Sequence, residues 1–474
     1  MAYVAYVTQL KNLRPHPNAD RLQLGDCFGN TICVSLDYQD GQVGIYFPTD
    51  GQLSVEYAEQ NNLLRKKDEN GNNIGGYMDP NKRNVTAIRL RGEKSDGLFM
   101  PLSSLDYCYP DIKGGAESML NVGDTIDVVE GHEICQKYIP KKKHREHTGG
   151  EGNRTRKKKV SVAPLFTEHA DTEQLAYNLA AFRPGDLVEI TLKMHGTSQR
   201  TGMVPVLTGF KRSMWDKLFR RDGDPQYNWG EVSGTRRTVL EDYEGGFYGS
   251  NAFRERHSKV FDGKLHKGET VYYEVVGFTD TGTPIMADCA NKKLNDKEFL
   301  KKYGETTTFS YGCSPNGLSE PLAYWDEEET EPAMYKKLPQ SDMYVYRMTM
   351  TNEDGDIVEY TPDYMRYRCE QMGVKTVPVL WYGFIPENPA TEGDDNITAG
   401  EWIMKVAERF YDGPDPIGKT HVREGVVVRI INRPKFCAYK HKNFSFKVLE
   451  GIIKDNADAP DIEEAQDVAE DGEA

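Results

Sequence analysis

Glu189-Ile-Thr-Leu-Lys-Met-His-Gly-Thr-Ser198 is the stretch on which the reading of this chain turns. Val188, Ile190 and Leu192 alternate with more polar neighbours, as in a half-buried strand whose side chains face opposite sides in turn. Lys193 then falls at the C-terminal end of that strand. Gly196, three residues on, has no Cβ and so lets a backbone come close to a ligand. A lysine in this setting is a candidate covalent nucleophile for a nucleotide phosphate, provided its surroundings favour the neutral amine. Taken alone, it is one surface charge among 59 lysines and arginines.

Its weight comes from residues further along the chain. Tyr273-Glu-Val-Val-Gly277, Glu424-Gly-Val-Val-Val-Arg429 and Lys440-His-Lys-Asn443 are additional strand-like runs that carry charge. Lys440 and Lys442, two residues apart, share one face of a strand. Beside Lys193, their ammonium groups would favour its neutral form and offset the charge of a triphosphate. Glu274 and Glu424 suit a hard divalent cation or a ribose hydroxyl. Arg429 lies five residues after Glu424 and points away from it on an ideal strand, which suits a structural role.

Composition sets the frame. The chain has 474 residues, enough for two or three domains, with 38% hydrophobic and 11% aromatic residues to fill cores. The eight cysteines include no C-x-x-C pair, so neither a zinc site nor a disulfide framework is indicated. With no signal peptide at the N-terminus and no long apolar run, the expectation is a soluble cytoplasmic protein without membrane contact, and a monomer. The net charge is −15, but residues 455–474 hold nine acidic residues and no Lys or Arg, leaving −6 for the rest. Residues 137–159 hold ten lysines and arginines. A polyanionic partner is therefore not excluded; it would be bound locally and in a salt-sensitive way.

The expected organisation has four parts. Residues 1–136 read as a small β domain, a barrel or sandwich with Arg89 and Arg91 on one strand face; its His16-Pro-Asn-Ala-Asp-Arg-Leu turn resembles that of OB-fold RNA-binding modules of the tRNA-binding type, which implies an OB-like barrel. Residues 137–165 read as a basic linker with glycines in its middle. Residues 166–454 read as a mixed domain: a helix over 165–182, then strands at 186–193, 202–210, 270–278, 343–350, 377–384, 424–431 and 444–453. Regular helices do not separate these strands, which favours an antiparallel α+β core. Residues 455–474 read as a disordered acidic tail.

The ordered set Lys193-Met-His195-Gly196-Thr197, Glu274-Val-Val-Gly277, Tyr344-Val-Tyr346-Arg347, Glu424-Gly-Val-Val-Val-Arg429 and Ala438-Tyr-Lys440-His-Lys442-Asn443 resembles the covalent nucleotidyltransferases, the superfamily of ligases and capping enzymes. His195 is similar to the residue at that place in type 2 phage and editing RNA ligases, where DNA ligases and capping enzymes carry Asp. A β module ahead of the core resembles the OB-domain nick-sealing RNA ligases of the Deinococcus type. The resemblance implies a nucleotidyltransferase domain of antiparallel sheets with flanking helices, and an ATP-dependent RNA ligase acting on RNA or an RNA-containing nicked duplex with Mg²⁺ or Mn²⁺. It implies roles too. Lys193 forms a lysyl–AMP, Tyr346 stacks on adenine, and Glu274 holds the ribose. Glu424, with Glu274, serves the metal. Lys440 and Lys442 grip the α-phosphate, Arg212 in Phe210-Lys-Arg-Ser213 contacts nucleotide or a terminal phosphate, and His195 and Gly196 lie against the nucleotide. Leu192 departs from the phage pattern, which has a glutamate before the lysine, so ATP specificity is implied only by analogy. Lys447 is an alternative to Lys440 and Lys442 for the last motif. The rival readings are an mRNA capping guanylyltransferase and a non-catalytic OB-fold RNA-binding protein.

Overall fold

A computed structural model describes residues 3–67, 69–71, 74–139, 160–213, 223–240, 243–244, 248–317, 319–321, 335–390 and 397–455. The basic run 140–159 and the acidic tail from 456 onward lie outside the described residues. The chain divides into two units: 1–142 with 289–306 and 443–460, and 143–288 with 307–442 and 461–474. Segments 289–306 and 443–454, expected within the second domain, thus belong to the first unit.

In the first unit, strand Ala5–Gln9 pairs with Val43–Phe47 and Thr125–Ile126, and Leu98–Pro101 adds to the far side of Val43–Phe47. Lys11–Pro15, Leu22–Cys27 and Asn30–Ser35 form a separate meander. Ala5, Val7, Ile45, Phe47 and Leu53 alternate into one apolar core with Tyr57 and Leu105. Among the described residues the small sheets do not close into one hydrogen-bonded barrel. The His16 turn is local architecture: Nδ1 accepts the Asn18 N–H at 3.1 Å while Nε2 bonds the Leu90 carbonyl at 3.1 Å. Arg89 pairs with Asp296 at 2.7 Å and lies over Phe444, so internal packing, rather than solvent or phosphate, claims it.

The segment 444–453, expected as a strand, is the helix Phe444–Asp455. Phe444, Phe446 and Val448 mimic a period of two, but Leu449 is buried as well and Asn443 accepts the Ser445 and Phe446 N–H groups as an N-cap. The helix expected over 165–182 is instead irregular chain, the short strand Glu173–Gln174 and two 3-10 turns. No described helix is long and apolar enough to cross a membrane.

The second unit holds the site. Its strands are β1 (Leu187–Lys193), β2 (Thr197–Lys211), β3 (Asp224–Gly234), β4 (Glu269–Gly277), β5 (Ser341–Thr351), β6 (Val379–Phe384), β7 (Gly425–Ile430) and β8 (Cys437–Lys442). One sheet has the order Glu173–Gln174, β8, β7, β1, β6. The other runs Val239–Leu240, β3, β2, β4, β5, Ile357–Glu359, with Lys375–Thr376 parallel to β5. Every other pairing except that of Glu173–Gln174 with β8 is antiparallel, so the α+β expectation holds for this unit. The sheets meet through Arg347 of β5 and Arg429 of β7, which both lie over the Phe436 ring, at 4.7 and 5.0 Å. The turn 194–196 carries the chain from β1 in one sheet to β2 in the other. That crossover is where Lys193 sits.

Candidate functional site

Strand register brings the charged residues together. Lys193 of β1 stands opposite Gly425 of β7, which stands opposite Lys442 of β8. Residues directly opposite in an antiparallel ladder share a face, so the two lysines flank a position that carries no side chain. Gly425 is required there, because a Cβ would fall 2.1 Å from the His441 carbonyl oxygen. Glu424 immediately precedes β7 and reaches both cations: Lys193 Nζ lies 2.6 Å from its Oε1 and Lys442 Nζ 3.6 Å from the same oxygen. His195 Nδ1 is 3.9 Å from Oε2. Glu424 is 2% exposed. Its Oε2 is buried and receives no hydrogen bond among the described residues.

Glu274 completes the other wall. It stands opposite Ser198 on one side and Tyr344 on the other. Its Oε1 accepts the Gly196 N–H at 3.1 Å and its Oε2 the Ser198 hydroxyl at 3.2 Å, so the carboxylate fastens the turn after Lys193. Gly196 allows this closeness, since a Cβ there would lie 2.4 Å from the Val275 carbonyl oxygen. Tyr346 is the extra residue of a β-bulge: Tyr272 pairs with Arg347 and Tyr273 with Val345, and Tyr346 is the residue inserted between them. A bulge re-aims a side chain, and the half-buried Tyr346 ring meets His169 at 5.3 Å. Lys440 stands on the same strand face as Lys442, opposite Val427.

The structure thus brings together Lys193, His195, Gly196, Glu274, Glu424 and Lys442, with Lys440 one register step away. It does not bring Arg212. β2 runs 15 residues without reversing, so at about 3.3 Å per residue Arg212 lies roughly 50–55 Å along the chain from Gly196. The sequence suggests a shorter strand at 202–210, with Arg212 just past its end. Instead β3 makes the return, and Gly234 comes back opposite Arg200. The basic element brought toward the site is therefore Arg236-Arg237, just past β3, where Arg236 pairs with Asp171. Its signal was present in Gly234-Thr-Arg-Arg-Thr238 but fell inside a long segment without an assigned element. Lys447 has a place of its own: it sits on the Phe444–Asp455 helix of the first unit and pairs with Asp96 at 2.6 Å. Leu192 is 2% exposed, its side chain on the sheet face opposite to Lys193.

A second missed group is an aromatic layer. The Tyr311 hydroxyl accepts the His195 backbone N–H at 2.7 Å. Phe309 meets the His195 ring at 4.6 Å and the His421 ring at 5.2 Å, both edge-on. Burial holds the His421 imidazole below the usual histidine range, with Asp415 opposing it, and pushes the Tyr311 hydroxyl well above its ordinary value. Chemically, the site offers a lysine Nζ in contact with a carboxylate oxygen, a second lysine beside it, and one buried carboxylate oxygen that receives no hydrogen bond among the described residues. Among the described residues no three His, Cys, Asp or Glu converge as a self-sufficient metal centre.

No family model and no curated protein matches the sequence. Solved structures do. A Naegleria gruberi RNA ligase, as a lysine-to-alanine mutant with ATP and Mn, superposes with a TM-score of 0.51 at 16% identity, covering 94% of this chain and 98% of that one. A glutamate-to-alanine mutant of the same ligase with AMP and Mn gives 0.50 at 16% identity, covering 94% and 97%. At that identity the likeness is one of fold: a sheet-rich chain with few helices, folded as these RNA ligases are.

Proposed function

We propose that this chain is an ATP-dependent RNA ligase that joins 3′-OH and 5′-phosphate ends, at nicks in duplexes, through a lysyl–AMP on Lys193. The observation that carries the reading is the contact of Lys193 Nζ with Glu424 Oε1 at 2.6 Å, with Lys442 Nζ 3.6 Å from the same oxygen. An RNA ligase fold around this contact, with ATP or AMP and Mn named in the matching structures, supports the choice of nucleotide and metal.

The steps balance with the residues present. Lys193 gives up its ammonium proton, for which Glu424 Oε1 is the acceptor in reach. Nζ then bonds to the α-phosphorus of ATP as the α–β phosphate bond breaks and pyrophosphate leaves. The 5′-phosphate end next takes the AMP, the P–N bond breaks, and Lys193 recovers its proton. Finally the 3′-OH attacks that 5′-phosphate and AMP departs. Lys440 and Lys442 hold the α-phosphate through these transfers, which depend on positioning and charge neutralisation more than on acid–base chemistry. Tyr346, aimed by its bulge, stacks on the base. Glu274 holds the ribose while it fastens the 196–198 turn.

Of the two carboxylates expected at a metal, Glu424 fits better. Its Oε2 is a buried oxygen without a donor, whereas both Glu274 oxygens accept hydrogen bonds from the turn. A Mg²⁺ or Mn²⁺ there would complete its shell with waters and phosphate oxygens and neutralise triphosphate charge. The test is incubation with Mg²⁺ and α-labelled ATP or GTP without nucleic acid. A labelled protein band with ATP, absent in Lys193→Ala, is expected. An adduct only with GTP would favour a capping guanylyltransferase. No adduct with either would leave the non-catalytic RNA-binding reading.

A further inference from the structure

The nucleophile's turn is held by a residue outside every charged motif. Tyr311 is 3% exposed and adopts φ = +47°. A bulky residue in the left-handed region costs on the order of 1–3 kcal/mol, which surrounding structure has to offset. The return here is visible. From that strained backbone the hydroxyl reaches the His195 N–H at 2.7 Å, two residues past Lys193.

The segment around Tyr311 is itself clamped to the approach to Glu424. Its ring meets the His421 ring edge-on at 4.5 Å. His421 is 0% exposed and donates from Nδ1 to the Val422 carbonyl at 3.0 Å. Ser310 and Thr420 share a hydroxyl bond at 3.1 Å. Gly418 lets the chain around 415–421 lie directly on this segment, since a Cβ there would fall 2.6 Å from the Gly312 nitrogen. One short segment, 309–312, therefore touches both the turn after Lys193 and the chain that delivers Glu424. These are the two halves of the contact at the centre of the site.

We propose that Tyr311 is a positioning residue for the nucleophile: its hydroxyl fixes the His195 amide, and so the 194–196 turn, in the arrangement that aims Lys193 Nζ at the α-phosphorus. This rests on the ligase reading above and adds to it a buried residue outside the charged motifs. Removing the hydroxyl leaves a buried N–H without its acceptor. The turn then rearranges to satisfy it, and a nucleophile displaced by about 1 Å loses on the order of 100-fold in rate.

The experiment separates aiming from binding and from folding. In Tyr311→Phe the rate of lysyl–AMP formation at saturating ATP falls roughly 10- to 100-fold, while the KM for ATP stays at the wild-type value. Sealing of a nick that already carries a 5′-adenylate needs no attack by Lys193, so the variant performs it at the wild-type rate. Unchanged adduct formation, a rise in KM alone, or equal losses in both assays would overturn the proposal. If Tyr311→Phe melts below assay temperature, Phe309→Leu loosens the same clamp with the hydroxyl intact and must give the same split. A wild-type protein that forms no adduct with any nucleotide instead defeats the ligase reading itself.

Discussion

Glu269 and Glu424 are both buried carboxylates of the second unit, 0% and 2% exposed, yet their surroundings are opposites. Glu269 receives the Arg368 guanidinium at 2.9 and 2.8 Å, the Tyr360 hydroxyl at 3.0 Å and the His266 N–H at 2.8 Å. Both of its oxygens are satisfied within the fold. Glu424 contacts two lysines through one oxygen and leaves the other without a donor among the described residues. A buried charge normally has its partners, because leaving one unmet costs free energy. Glu269 is thus spent on the fold, whereas Glu424 keeps one oxygen uncommitted beside Lys193.

The largest expected effect is on the chemical side. Lys193→Ala abolishes the labelled adduct while circular dichroism and the melting temperature remain those of the wild type. Glu424→Gln is next: adduct formation falls about 100- to 1,000-fold, the scale of losing one electrostatic partner of a transition state. Its stability stays within about 1 kcal/mol of wild type, because the lost charge was incompletely satisfied. A large drop in melting temperature for this variant would break the contrast. Glu269→Gln inverts the pattern, costing ~3–5 kcal/mol in urea unfolding by leaving Arg368 buried and unpaired, with the adduct still forming under folded conditions.

That side has a pH signature. Burial alone would raise the Glu269 carboxyl, but Arg368, the His266 amide and Tyr360 outweigh it and hold the group below the ordinary carboxylate value. A group depressed in the folded state contributes stability above its unfolded pKa, about 4.3, and loses that contribution as pH falls through the folded value. Unfolding measured from neutral pH downward should therefore show a wild-type loss beginning near pH 5, and Glu269→Gln should flatten it. The smallest effect sharpens the limits of the site. Arg212→Ala leaves adduct formation unchanged, since β2 carries that residue to its far end; a tenfold loss would mean that the strand reverses earlier than described.

Legibility in the sequence is a matter of range. Lys193, Glu274, Glu424 and Lys442 can be read because period-two strands and short glycine turns are local properties, and their order along the chain narrows the chemistry. Arg212 is misplaced by such a reading because strand length is not local: nothing between Thr197 and Lys211 announces that the chain keeps extending rather than turning back. The 444–453 helix reads as a strand because Phe444, Phe446 and Val448 satisfy two periods at once, and the deciding cap, Asn443, also fits the end of a lysine motif. Tyr311 leaves no signal at all. Its role depends on a backbone torsion and on a contact across 116 residues, neither of which spacing encodes.

The first unit is assembled from chain segments far apart in sequence, with Lys447 of the Phe444–Asp455 helix paired to Asp96 and the Phe444 ring under Arg89. On a ribosome adding about 5–20 residues per second, strands up to residue 137 would emerge roughly 15–60 s before that helix does. The portion made first is thus among the last to be finished. Nascent 1–137 has to wait with its helix-binding surface uncovered until the Phe444–Asp455 helix has been made.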